Sequence, residues 1–281
     1  MAVPLWVRAL QRADRVAWYA YHGYEVLREE LLFAYVDPSD RASVIQRAYE
    51  AQEAYLPGGA TFERGLFSWE QSLLDRPEVP RSGRVLLAAA GGGREVKGLC
   101  ERGYDVRAFE PNPVLRRGAE QVATSLGARV YNGVFADLSQ AVRGEGPLAA
   151  LREEGPYALV VLGWGSITHV LEDRERVELL ESVRALAPTA PVITSFFLRP
   201  ERSATAPKAK TERLRALLRG AFAKAGAHNR SIPEGLAYEA GGGFVYAFTE
   251  SEVQSMAHRA GYAVQQFAEA PFPHALLVPH R

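Results

Sequence analysis

The 281-residue sequence predicts an α/β fold: a mainly parallel sheet covered on both faces by helices, preceded by a helical segment. Three observations carry this. From Arg84 onward, short apolar runs alternate with stretches of helical period, the pattern of strands joined by crossover helices. Apolar residues make up 47 % of the chain, enough for a sizeable core at this length. Before Arg84, residues 4–80 repeat apolar and aromatic side chains every three or four positions among charges.

In the first segment, "LWVRALQRADRVAWYAYHGYEVLREELLFAY" reads as a long helix. "DPSD" breaks it, with Ser39 or Asp40 able to cap a second helix that stops at Pro57-Gly58-Gly59. "FERGLFSWEQSLL" follows, and the proline-flanked "RPEVPRSG" marks a domain boundary, giving a helical cap at 1–80 and a second domain at 81–281. There "RVLLAAA" is a buried strand, and Gly91 to Arg102 is a helix that Gly103 ends. "YDVRAFE" is the second strand, "VLRRGAEQVATSLG" a helix stopped by Gly127, and "ARVYNG" the third strand. "YALVVLGWG" is the fourth, followed by a helix over about Glu172–Leu186, and "PVITSFFL" is the fifth. An insertion spans about 199–243, and "FVYAFT", a helix over Glu250–Ala260, "AVQQFAEA" and "HALLVP" close the sheet edge with a hairpin.

Charge and cysteine usage exclude several classes. Lys plus Arg equals Asp plus Glu at 33 each, so the whole chain favours neither an acidic nor a basic partner. With Cys100 alone, neither an intramolecular disulfide nor a thiolate metal cage can form, which fits a reducing compartment. The first twenty residues carry charges throughout, unlike a secretory signal, and no run approaches the roughly 20 apolar residues of a membrane span. The expectation is a cytoplasmic protein without a membrane partner.

The stretch "RVLLAAAGGGREVKGLCERGYDVRAFEPNP" holds the chemistry. Glycines between a first strand and a helix let the backbone approach a ligand and present helix N–H donors to it. Glu110 follows Gly93 by 17 residues at the end of the second strand, beside that loop, where an acid accepts both hydroxyls of a ribose. The pair reads as a nucleoside site. A dinucleotide loop needs a third glycine three residues on, and Arg94, Glu95 and Val96 stand there instead.

This arrangement resembles class I S-adenosylmethionine-dependent methyltransferases, whose first motif is an acid followed by G-x-G-x-G. Gly91 and Gly93 match the last two glycines, Ala89 replaces the first, and Leu87 replaces the acid. The resemblance covers residues 84–281 and implies S-adenosylmethionine as cofactor. It also implies a Rossmann-like seven-stranded sheet, mostly parallel, with an antiparallel last strand. By the same resemblance Glu110, with Pro111 beside it, binds the ribose, Asp137 in "VFADL" faces the adenine amino group, and Gly163 ends the fourth strand facing the methyl. "FTESEVQSMAHRAGYAV" resembles the sixth strand, its helix and the start of strand seven.

If the acceptor is a hydroxyl or ammonium group, a base must take its proton. His169, Tyr246 and Glu70 are the candidates. "LGWGSI" lacks the Asn/Asp-Pro-Pro motif of base and amide methylation, and "SFFLRP" lacks carboxylates for a catechol-type magnesium site. The expectation is methyl transfer, without metal, to an oxygen or nitrogen of a small molecule. Residues 199–234 hold nine Lys or Arg against three Glu, which would attract an anionic substrate or, as the less favoured partner, RNA. The length of the insertion and the glycines Gly241–Gly243 read as a lid. The alternatives are an RNA-directed methyltransferase or binding module using that basic segment, and an NAD-dependent oxidoreductase. The missing third glycine disfavours the oxidoreductase.

Overall fold

The computed structural model describes residues 4–201, 210–229, 232–239 and 241–280. In chain order the helices are α1 (Leu5–Tyr35), α2 (Arg41–Glu50), α3 (Ser68–Leu74), α4 (Arg94–Glu101), α5 (Pro113–Leu126), the single turns α6 (Leu138–Ala141) and α7 (Ala150–Glu153), α8 (Asp173–Leu186), α9 (Lys210–Lys224) and α10 (Glu250–Arg259). The strands are β1 (Gly83–Ala88), β2 (Tyr104–Phe109), β3 (Arg129–Tyr131), β4 (Leu159–Leu162), β5 (Val192–Ser195), β6 (Phe197–Leu198), β7 (Leu236–Glu239), β8 (Gly243–Phe248), β9 (Tyr262–Ala268) and β10 (His274–Pro279). By backbone contact the chain groups into two compact units, residues 1–41 with 202–234 and residues 42–201 with 235–281.

The second unit is built on a seven-stranded sheet of order β3-β2-β1-β4-β5-β10-β9. β1 pairs in parallel with β2 and β4, β2 with β3, and β4 with β5. β10 is antiparallel to both its neighbours, β5 and β9, so it alone runs against the other six. Successive residues of a strand face opposite sides. In β1 this sends Val85 and Leu87 into one core with Trp69, Val96 and Ala119, and Leu86 and Ala88 into the other with Leu180, Val183 and Met256. Burial on both faces is why the strands read as continuous apolar runs. The order reverses between β1 and β4, which opens a crevice at their carboxyl ends.

Four local expectations change. "FVYAFT" belongs to β8, which lies outside the large sheet, parallel to β6 and antiparallel to β7 in a separate three-stranded sheet. The sixth and seventh strands are therefore β9 and β10. An apolar run encodes that a segment is a strand, but not which edge it joins. The second helix ends at Glu50 rather than Pro57, and short 3-10 turns at Glu53–Tyr55 and Phe62–Arg64 follow. Asp37, not Ser39 or Asp40, caps the break, its carboxylate accepting the Ser39 N–H at 2.9 Å. The helix after the glycines starts at Arg94, because Gly93 has φ 96° and serves as its N-cap.

In the first unit α1 and α9 pack together. Glu30, fully buried, accepts hydrogen bonds from Arg215 at 3.1 Å and Arg219 at 2.7 and 2.8 Å, and Arg215 also reaches Glu29 at 2.5 Å. The Asn229 amide donates to the carbonyls of Phe33 and Val36, both at 2.8 Å, closing the end of α1. Two of the basic residues counted in the 199–234 segment are thus engaged by α1. Arg202, Lys208 and Arg230 of that segment, and residues 202–209, 230–231 and 240 of the expected lid, lie outside the described residues. Of the aromatic residues on α1, Phe33 is buried, whereas Trp18, Tyr19, Tyr21 and Tyr24 are exposed. No described helix is long and apolar enough to cross a membrane.

Removing one partner of a buried ion pair costs about 3–5 kcal/mol, because the other charge is left desolvated. Glu30→Gln is therefore expected to lower the urea midpoint for loss of α1–α9 helicity. Arg219→Gln, whose side chain is 42 % exposed, should lower it less. Far-UV circular dichroism during denaturation checks the order.

Candidate functional site

At the carboxyl ends of β1, β2 and β4 the second unit encloses a cavity of about 540 Å³, the size of a small-molecule site. Its wall includes Ala89, Gly91 and Gly92 after β1, Phe109 to Asn112 at the end of β2, Val134 to Ala136 after β3, and Trp164, Ser166 and His169 after β4. Ile45, Gln46 and Tyr49 of α2, with Tyr55, complete it. α2 and the residues just after it are tied there by three long-range hydrogen bonds: Asn112 Nδ2 to the Gln46 carbonyl (2.9 Å), Gln52 Nε2 to the Gly241 carbonyl (2.8 Å), and Tyr49 to His169 (2.8 Å).

The glycines of the loop are required for different reasons. A β-carbon on Gly92 would stand 1.9 Å from the Tyr55 carbonyl oxygen, and one on Gly93 would stand 2.9 Å from Ala119 Cα. One on Gly163 would stand 2.1 Å from the Ala89 oxygen, so β4 abuts the loop backbone. At Gly91 (φ 55°) a β-carbon would meet no heavy atom within 4 Å, and the residue faces open cavity. Ala89 adopts φ 61°, an uncommon conformation for a residue with a β-carbon.

Glu110 sits beside that loop, only 5 % exposed. Its Oε2 accepts the Gly91 N–H at 2.8 Å and its Oε1 the Asn112 N–H at 2.9 Å. Burial raises its carboxyl to about 7, against the lowering effect of those two N–H groups. Each oxygen keeps a lone pair for a further donor.

A second polar cluster adjoins it. The Arg94 guanidinium grips Glu70 through two bonds (2.6 and 2.7 Å), bonds Glu95 at 2.7 Å and the Gly65 carbonyl at 2.7 Å, and lies 4.0 Å from the Phe67 ring centre. Burial works against this guanidinium, but Glu95 and Glu70 outweigh it and hold the group charged. Burial, foremost, raises the Glu70 carboxyl. Glu95 Oε1 also accepts the Trp164 N–H at 3.1 Å, which brings this buried carboxylate to the cavity wall.

Opposite, His169 Nδ1 lies 3.1 Å from the Phe244 carbonyl, which can only accept. Nδ1 therefore carries the proton, Nε2 presents its lone pair, and the Tyr49 hydroxyl donates to it at 2.8 Å. Burial lowers the His169 imidazole and raises the Tyr49 hydroxyl, so the pair is neutral at neutral pH.

Of the residues proposed from sequence, the cavity wall brings together Ala89, Gly91, Glu110, Pro111 and His169. Gly93 and Gly163 lie behind it as packing positions. The Asp137 carboxylate accepts the Val134 N–H at 2.8 Å, closing its own turn, while Val134, Phe135 and Ala136 form the wall there. Tyr246 donates to Glu252 at 2.8 Å under the Arg176 guanidinium, away from the cavity. Glu70 is held by Arg94 behind the wall. Sequence reasoning missed Tyr49, Glu95 and Trp164. Glu95, directly after the glycines, was legible as a carboxylate at a helix start, whereas Tyr49 carried no local signal. The carboxylates of the wall are Glu95, Glu110, Glu175 and Glu178, and Arg94 is its one Lys or Arg among the described residues. Arg94 is held by Glu70 and Glu95.

The chain has the fold of solved S-adenosylmethionine-dependent methyltransferases. One from Leishmania major superimposes with a TM-score of 0.51 at 15 % identity, covering 86 % of this chain and 84 % of that one. The sugar N-methyltransferase KedS8 from Streptoalloteichus superimposes with a TM-score of 0.50 at 14 % identity, covering 76 % of this chain and 86 % of that one. No family model matches the sequence, and no curated protein matches it.

The Nδ1–H tautomer of His169 should persist at about pH 6, where an ordinary imidazole of pKa about 6.5 is mostly protonated. A nitrogen-15 histidine NMR titration checks this, and Tyr49→Phe should shift the Nε2 resonance by removing its donor.

Proposed function

We propose that the protein transfers the methyl group of S-adenosylmethionine to an oxygen or nitrogen of a small molecule. One observation carries the reading: the buried Glu110 carboxylate beside Gly91, at the mouth of a cavity where the sheet order reverses. The residues fit the cofactor. Gly91 leaves open the space a β-carbon would fill, and Glu110 retains lone pairs for two ribose hydroxyls. The buried Trp164 Nε1 and Ser166 Oγ of the wall lack protein partners and would find them in a ligand. Val134, Phe135 and Leu115 would flank the adenine. Leu87 leaves no acid within β1, and Glu95 would take the ammonium of the methionine part in its place.

Bound S-adenosylmethionine supplies an electrophilic methyl on a sulfonium. The chain's own task is alignment, exclusion of water and proton handling. Tyr49, Tyr55 and Trp164 give the acceptor an aromatic wall, and the carboxylates favour a neutral or cationic acceptor over an anionic one. Tyr49 would receive the acceptor's proton on its oxygen while passing its own to His169 Nε2.

Calorimetric titration with S-adenosylhomocysteine tests the reading. Binding is expected, with none for NAD, and absence of binding to the folded protein overturns it. Because hydroxyl donors favour ionised Glu110, affinity should rise as pH passes upward through about 7, with a proton released on binding below that value. Heats measured in buffers of different ionisation enthalpy count that proton. A hydrogen bond to a charged group is worth about 1.5–3 kcal/mol, so Glu110→Ala should weaken binding roughly 10- to 100-fold. Glu95→Gln should weaken S-adenosylhomocysteine but spare methylthioadenosine, which lacks the amino-acid part. Equal weakening of both would mean that Glu95 only supports Arg94 and Trp164.

A further inference from the structure

α1 spans 31 residues, about 46 Å at 1.5 Å per residue. Its buried side chains, Val26, Glu30, Phe33 and Ala34, all lie in its last ten positions. The preceding two thirds bury nothing, yet they carry Trp6 at 70 %, Leu10 at 54 % and Tyr24 at 58 % exposure. Helices in proteins owe most of their stability to packing of an apolar face. This face has a defined form. Trp6, Leu10, Ala13, Ala17, Ala20, Tyr24, Leu27 and Leu31 follow one another at alternating steps of four and three, and every one is exposed. That is the seam of a two-stranded coiled coil. The side chains packed with α9 lie beside it.

We propose that the seam pairs antiparallel with the same seam of a second copy of this chain. In that register Trp6 meets Leu31 and Leu10 meets Leu27. Ala13 meets Tyr24, a small residue against a large one, and Ala17 meets Ala20, where the two backbones approach most closely. Each contact recurs by the two-fold axis, so one patch completes itself and no edge is left to grow.

Charge selects this direction. Residues 5–20 carry Arg8, Arg12 and Arg15 against Asp14, whereas residues 21–35 carry Glu25, Glu29 and Glu30 against Arg28. Parallel copies would lay like halves together, and antiparallel copies lay opposite halves together and oppose the helix dipoles. Glu29 and Glu30 already bind Arg215 and Arg219, and Glu25 binds Arg28 at 3.0 Å, so charge sets orientation more than strength. A lipid surface fits less well. A membrane-surface helix needs a basic polar face, but α1 is acidic over its second half, with Glu25, Glu29 and Glu30 flanking the seam.

Light scattering coupled to gel filtration on the full chain should give the mass of two copies, and Ala17→Glu should give the mass of one, with far-UV circular dichroism falling by no more than the unpaired turns of α1. Direction is read in a Cys100→Ala background. On mild oxidation, Leu10→Cys alone and Leu27→Cys alone should stay uncrosslinked, and a mixture of the two should form a disulfide-linked dimer. A single-copy mass for the unaltered chain overturns the proposal, as does a dimer that survives Ala17→Glu. Self-crosslinking of either single variant, showing parallel pairing, overturns it too. A single-copy chain that co-sediments with anionic phosphatidylserine vesicles would assign the seam to a membrane instead.

Discussion

The bond from the Gly91 N–H to the Glu110 carboxylate is the contact around which the site is organised. It joins the loop after β1 to the end of β2, and it requires the loop to turn within a few residues. The positive φ values of Ala89, Gly91 and Gly93 make that turn. The turn leaves so little room that β4 can approach only through Gly163, and the segment at Tyr55 only over Gly92. Four chain segments thus converge on one carboxylate. Its burial opposes its charge while two N–H groups favour it, and the balance near 7 leaves it responsive to any additional donor.

The cluster of Glu70, Arg94 and Glu95 solves a second problem, that of holding a carboxylate at the cavity without an acid in β1. Leu87 packs in the apolar core beneath the loop, so charge cannot sit there. Glu95, on the first turn of α4, reaches the wall instead, with its oxygen fixed by the Trp164 N–H and by Arg94. A buried ion pair adds little net stability, since desolvation offsets the attraction. Its effect here is positional: Arg94 links α3 to α4, and Glu95 links α4 to the segment after β4.

The strands and their order of succession were legible because burial on both faces leaves an apolar run that period and length identify, as in "YDVRAFE" and "YALVVLGWG". The glycine loop and Glu110 were legible because their juxtaposition follows from local spacing. What escaped depends on distant partners. β8 reads as well as any strand, but its neighbours β6 and β7 arise from chain geometry rather than from its own pattern. Tyr49 lies on a helix that period revealed, while its place at the cavity follows from hydrogen bonds to residues as far away as Gly241 along the same helix and its continuation. The count of basic residues in 199–234 was correct as composition. It did not show that Glu30 of α1 engages two of the nine, Arg215 and Arg219.

The neutral state of the Tyr49–His169 pair constrains the proposed chemistry further. An imidazole lowered by burial is a weak base, and a buried phenol raised by burial is a weak acid. Neither can ionise a hydroxyl acceptor in advance of attack, since the free energy gap between an alcohol and such an imidazole is too wide. Attack on a sulfonium methyl removes electron density from the acceptor atom, however, and its remaining proton becomes far more acidic as the new bond forms. A weak, neutral base held at a fixed distance is matched to that late transfer. It also avoids placing an ionised base beside the sulfonium charge, where it would bind the ground state as strongly as the transition state. On this proposal His169 would become a buried cation, which burial disfavours, so it would hold the proton only briefly.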